Sequence, residues 1–364
     1  MLRLETRKEP SRLMLYATPF VAVVLTMLAG VVLFAALGKD PAKAVWLIFF
    51  EPLTSLYSLS ELIVKATPLV LIAVGLSLGF RAGIWNIGAE GQFTIGAAAG
   101  GAVALALYDV QGVWVLPAMC LAGTLGGMAW AAIPAFLRVR FNANEILVSL
   151  MLVYVAVLIL GLLVHGPLRD PEGHNFPESR LFHDAATLPL LIEGTRAHVG
   201  ALVALAVVAI TWVLLQRHMI GFQIKVLGQA PHAASFAGFS RPRLVWFSFM
   251  VSGGLAGLAG LIEAAGPVGQ LVPALPVGYG FTAIIVAFLG RLHPLGILLG
   301  GLLLALTYIG GEGAQIAMSL PSATTSVFQG MLLFFLLASD VLVNYNIRRV
   351  ARGPAVAPVS EAEE

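Results

Sequence analysis

Apolar residues run along this chain in long unbroken blocks, not in the short alternations of water-facing helices and strands. A helix that crosses a bilayer needs about 20 mostly apolar residues, within a range near 17–25. Blocks of this kind fall at 13–37, 62–80, 93–108, 113–137, 143–163, 198–215, 245–262, 272–290, 294–310 and 323–343. The pattern predicts an all-α, polytopic transmembrane helical bundle of about ten spans, which fill a single membrane domain over 13–345. Segment 43–50, KAVWLIFF, is too short to cross and predicts a piece lying at the interface. Polar stretches separate the blocks. The longest are 164–197 and 216–244, and a Pro/Ala/Glu-rich tail over 346–364 predicts disorder. The N-terminal segment 1–12 is basic and meets a block from Leu13 to Leu37. A secretory signal has an apolar region of only about 7–15 residues, so this block predicts a retained first span.

Composition removes the soluble alternative. The chain of 364 residues is 59% hydrophobic and 11% charged. Soluble domains carry about 25% charged residues, so this chain lacks the charge to cover a water-facing surface. A net charge of +2 does not point to nucleic acid. Cys120 is the single cysteine, so no internal disulfide and no cysteine-based metal site can form.

The placement of charge sets the orientation. With the N-terminus in the cytoplasm, fifteen of the 21 Lys and Arg fall on the inner side and six on the outer. Inner clusters include Arg81, Arg138, Arg140, Arg217, Lys225, Arg241, Arg243 and Arg291. Cytoplasmic loops carry such an excess. An even count of spans with both termini cytoplasmic follows, with 164–197 outside and 216–244 inside.

Glycine and proline mark where helices touch and where they break. Gly96-x-x-x-Gly100, Gly253-x-x-x-Gly257 and Gly296-x-x-x-Gly300 each place two glycines on one face, as close helix contact in lipid favours. The third span is short and follows GFRAGIWNIGAEGQF, 79–93. The eighth opens with VPALPVGYGF, 272–281. Paired interruptions at matching positions of two halves point to a transporter site built on an inverted repeat. The first break carries Trp85, Asn86, Glu90 and Gln92, and the second carries Tyr279. They are translocation-pathway candidates, as are Asn144 and Glu145 at the start of the fifth span. Structural roles compete. Glu90 could pair with Arg81 and Asn86 could cap a helix, and a cap is the leading reading for Asn144 and Glu145. Glu263 sits near a helix end, where solvation is the default.

No engine is visible. A nucleotide-binding loop needs G-x-x-x-x-G-K-[ST]. The single Gly-Lys pair, Gly38-Lys39, is followed by Asp40. A transporter driven by a separate ATPase, an ion-coupled secondary transporter and a membrane enzyme all stay open on these grounds, though no paired catalytic set is evident.

Four segments in order, GIWNIGAEGQFTIGA (83–97), NEILVSLML (144–152), VLGQAPHAASFAGFS (226–240) and VGYGFTAIIVAFLGRLHPLGILLG (277–300), resemble the permeases of bacterial ABC importers for simple sugars and nucleosides. The branch associated with basic-membrane-protein-type nucleoside-binding lipoproteins is the most similar. The resemblance covers roughly 60–345. It implies a subunit that catalyses nothing itself and carries nucleosides, or alternatively monosaccharides, across the inner membrane by alternating access. It also implies a partner ABC ATPase that holds ATP and Mg, a second identical or related permease, and a periplasmic or lipid-anchored substrate-binding protein. Within the inner loop it places a coupling helix, with Ala230, His232, Ala233, Ala234, Ala237, Gly238 and Phe239 as ATPase-facing positions. His232 departs from the acidic or amide residue common there.

Overall fold

The computed structural model describes residues 2–6, 12–321 and 323–349. The chain opens with strand β1 (Leu2–Thr6), followed by helices α1 (Arg12–Ala36), α2 (Pro41–Phe49), α3 (Leu56–Arg81), α4 (Ala89–Ala106), α5 (Val115–Phe141) and α6 (Glu145–His165). Then come α7 (Gly200–Arg217), α8 (Met219–Gln229), α9 (Pro231–Phe236), α10 (Arg241–Glu263), α11 (Tyr279–Leu289), α12 (Pro294–Met318), α13 (Ala323–Asn344) and strand β2 (Tyr345–Arg349). Each of the ten apolar blocks has its helix, and the protein is a polytopic helical membrane bundle. Seven helices are long and apolar enough to cross by length and composition; α4, α11 and α13 fall short of that measure among the described residues.

Two compact units divide the chain. The smaller contains α1 and α13. Gly30 lets the Phe328 ring lie against α1, and Ser339 Oγ donates to the Thr18 carbonyl at 3.3 Å. Strands β1 and β2 pair antiparallel, Leu2 opposite Arg349 and Thr6 opposite Tyr345. The strands that flank α1 and α13 therefore meet at one end of this unit. Residues 346–349 are strand where the tail was expected to be disordered, because their backbone groups find partners in β1. The remainder of that tail, 350–364, lies outside the described residues.

The larger unit, 46–319, is built around α3. The most apolar stretch of α3 is 89% buried, whereas that of α6 is more apolar still and 22% buried. Apolarity does not sort inside from outside in lipid, because acyl chains are as greasy as leucine. Glycine does the sorting. Gly96 of α4, Gly123 and Gly127 of α5, and Gly253 and Gly257 of α10 meet backbone to backbone. A Cβ on Gly257 would collide with the carbonyl oxygen of Gly123, and one on Gly127 with that of Gly253. Gly296 packs on Gly290 in the same way, bringing α12 against the end of α11. All three small-residue pairs read from the sequence thus lie at helix contacts.

Candidate functional site: two interrupted helices that meet

Both predicted breaks exist, with edges shifted. Helix α4 begins at Ala89, earlier than 93, after a non-helical run over 82–88. The eighth block is helical only from Tyr279. Residues 272–278 are irregular, and α10 passes through a π-helical turn, Ala264–Val268, before the chain reverses at Gly269 (φ 76°). Pro273, Pro276 and Gly278 (φ 92°) keep 272–278 from joining the helix.

The start of α11 lies against the start of α4. Gly280 touches the backbone of Ala89 and Glu90 so closely that any Cβ would collide. The Glu90 carboxylate accepts the N–H of Gly278 at 2.7 Å and of Gly280 at 2.5 Å. A carboxylate in the first turn of one half-helix therefore caps the N-terminus of the other, where the dipole favours negative charge. Glu90 does not pair with Arg81. The eleven residues of α11 rise about 16 Å to its far end, roughly half of a ~30 Å apolar layer. Beyond that end, Arg81 Nε donates to the Leu292 carbonyl at 2.8 Å. The junction lies deep within the bundle, one length of α11 from that end.

Free backbone groups at that depth need partners, since lipid offers none. In the first break Asn86 and Gln92 form a reciprocal amide pair. Asn86 Nδ2 donates to Gln92 Oε1 at 2.8 Å and to Ser252 Oγ at 2.7 Å, and Gln92 Nε2 donates to Asn86 Oδ1 at 3.0 Å. Asn86 Oδ1 also accepts the Gly88 N–H, and Ser149 Oγ accepts the Ile87 N–H. Asn86, Glu90 and Gln92 are all buried and occupied with the chain's own groups. Trp85 is the exposed member, its ring stacked on Phe288 and tilted against Phe80.

The second break is sealed by the long loop between α6 and α7. Ser179 N–H donates to the Leu271 carbonyl, Phe182 N–H to Gly269 and Leu188 N–H to Ala265, while Ser179 Oγ accepts the Leu271 N–H. Tyr279 is fully buried and donates to Glu263 Oε1 at 3.2 Å. Glu263 is therefore not solvated as its place near a helix end had implied, because α11 covers it. Lys65 lies 5.7 Å from the Tyr279 ring and pairs with Glu312 at 3.8 Å. In the same loop, Arg196 grips Glu61 with two donors, and that bond holds the guanidinium above its ordinary pKa. Burial pushes His198, just before α7, down to about 4.

Asn144 caps α6, its Oδ1 accepting from Ile146 and Leu147, and Glu145 pairs with Arg138 at 3.2 Å. Both groups are engaged at the start of the helix, and among the described residues neither bonds to a residue of the two breaks.

Two features were not singled out from the sequence. A cleft of about 450 Å³ opens beside the junction, lined by Glu90, Tyr154, Val157, Pro276, Gly278 and Phe281. In addition, α9 projects Phe236, which is 92% exposed. Helix α9 is a single short element ended by Gly238 (φ 76°). His232, Ala233, Ala237 and Gly238 are exposed at its surface, as is Ala230 before it, and Phe239 is partly covered by Phe222. Ala234 turns inward and packs with Leu78, Ala82, Ile224 and Phe249, so it cannot touch a partner. Tyr154 lay hidden in an apolar block where nothing marks a facing direction.

Two interrupted helices thus meet start to start beside a cleft. The sequence profile of the family described as "Branched-chain amino acid transport system / permease component" matches residues 58–337, and the chain belongs to this family of permeases. It is 38% identical to the glucose ABC transporter permease protein TsgB13 of Haloferax volcanii, over 99% of this chain and 98% of that protein. It is 29% identical to the guanosine ABC transporter permease protein NupP of Bacillus subtilis, over 88% and 92%. It is 25% identical to the nucleoside ABC transporter permease protein NupB of Lactococcus lactis, over 89% and 91%. No solved structure matches the chain.

Proposed function

We propose that this permease carries nucleosides across a bacterial plasma membrane as one membrane subunit of an ABC importer. The single observation that carries this reading is the junction at which Glu90 joins the two half-helices, next to the 450 Å³ cleft. A cleft of about 300–1,000 Å³ suits a small ligand. Tyr154 and Phe281 offer aromatic faces to a nucleobase. The half-helices are clamped to each other through the Glu90 carboxylate, so a rocking motion of either displaces the cleft wall. Asn86, Glu90, Gln92 and Tyr279 hold the shape of the path, and Trp85 borders its basic end.

Power comes from a separate ATPase that docks on α9. His232, Ala233, Phe236 and Ala237 form the contact, and closure of two ATPases on ATP and Mg pulls α9 and, through Ala234, the core beneath it. A second permease completes the path, and a binding protein delivers substrate at the end bearing the 166–199 loop. A ligand drives such a cycle only by binding the two states unequally.

A monosaccharide is the second reading, favoured by 38% identity to a glucose permease along nearly the whole chain. Uptake of labelled guanosine and labelled glucose into proteoliposomes bearing the complete complex separates the two. Guanosine uptake that drops at least tenfold in Tyr154→Ala supports the nucleoside reading. Glucose uptake alone replaces it with the sugar reading. Uptake of neither in an ATP-hydrolysing complex rejects both.

A further inference from the structure

A second, larger cavity of about 980 Å³ opens at the Arg81 end of the bundle, between the ends of α3, α7 and α11 and the start of α8. Its wall carries Arg81, Arg217, Lys225 and Arg291, and none of its lining residues is acidic. Arg81 and Arg217 are the last residues of membrane helices, and Arg291 follows α11 directly. They therefore stand where the apolar layer gives way to headgroups. Arg81 is anchored by its bond to the Leu292 carbonyl, and the capping His218 leads into α8, whose N-terminal dipole adds positive potential. Arg217 and Lys225 are exposed like charges in one concavity, an arrangement that favours an anion between them. The same wall is apolar beside the charges. Met219 and Phe222 are large, exposed and directed to the rim of the cavity from the first turn of α8.

We propose that this cavity binds the phosphate of an anionic phospholipid headgroup, with the acyl chains lying over Met219 and Phe222. Arg217 and Lys225 supply the exposed contacts, and Arg81 forms the floor. Basic pockets between helices at the cytoplasmic side of a membrane select such headgroups. Arginine matches phosphate oxygens with a planar fork. The cavity lies apart from the Glu90 cleft, and the proposal does not depend on which solute is carried.

The test uses the full chain in detergent. Lipid retained after extensive washing is identified by native mass spectrometry. Thermal stability is then measured with added phosphatidylglycerol, phosphatidylcholine or inorganic phosphate. The expected result is retained phosphatidylglycerol or cardiolipin, and a rise in melting temperature with phosphatidylglycerol only. In the doubly substituted Arg217→Gln, Lys225→Gln chain the retained anionic lipid falls at least fivefold. Both residues are exposed, so the variant folds, and Arg217→Lys with Lys225→Arg restores most of the binding. Equal stabilisation by inorganic phosphate would assign the site to a soluble phosphate and overturn the lipid source. Unchanged lipid in the double variant, or lost ATPase binding with lipid retained, overturns the proposal.

Discussion

Replacing Glu90 tests the junction. Its carboxylate accepts two buried backbone N–H groups, at 2.7 and 2.5 Å, from a residue 2% exposed. Hydrogen bonds to charged groups contribute about 1.5–3 kcal/mol each in mutational series, which already contain the cost of burying the charge. Glu90→Ala removes both, so the loss is about 3–6 kcal/mol. Glu90→Gln keeps one acceptor and turns a donor toward the other N–H, so about half of that is lost. Glu312→Gln is the control. Its pair with Lys65 is long at 3.8 Å and half exposed, so the change costs at most about 1 kcal/mol. Thermal unfolding in detergent can be followed by the reaction of a fluorescent maleimide with Cys120, the single thiol. The order of melting temperatures should be wild type and Glu312→Gln highest, then Glu90→Gln, then Glu90→Ala. A Glu90→Ala chain as stable as Glu312→Gln would refute the clamp, and one as stable as Glu90→Gln would refute the two-bond account.

Gly257→Ala drives a methyl into the Gly123 carbonyl, so overpacking should cost about 1–3 kcal/mol or more and lower the yield of folded protein in detergent. His198 is buried and neutral in the fold with a pKa near 4, against 6.5 for a free side chain. Unfolded chain therefore takes up the proton first. Stability is full above about pH 6.5, falls by about 3 kcal/mol as pH drops to 4, and levels off below. A His198→Gln chain should show a flatter pH profile of melting temperature, and an unchanged profile would exclude this histidine as its cause. Phe236→Ala should leave melting within about 0.5 kcal/mol, because the ring is in solvent, yet weaken ATPase association about thirtyfold if Phe236 is an interface anchor. Titration calorimetry with the purified ATPase measures that directly.

The chain's helices were legible because membrane spans announce themselves by length and apolarity. Each of the ten blocks became a helix, and the two interruptions stood out through Gly83, Gly88, Pro273, Pro276 and Gly278. The partners of the polar groups in those breaks were not legible. Glu90 lies 188 residues before Gly278 in sequence, and its bond depends on two helix starts meeting in space. Local reasoning offered Arg81, nine residues away, instead. Ala234 and Ala237 look alike in a small-residue segment, yet one faces the core and the other solvent. Tyr154 shares its helix with Leu158 and Leu162, all exposed, and lipid rewards the same side chains that line a cleft. Glu263 looked solvated because no sequence signal shows that Tyr279 closes over it.

Energy supply is where the account can be tested most directly. Purified chain in proteoliposomes should accumulate no labelled guanosine under a proton or sodium gradient. The same vesicles with the cognate ATPase, second permease and binding protein should accumulate it only when ATP is present on the ATPase side. Gradient-driven accumulation by the isolated chain would contradict the account.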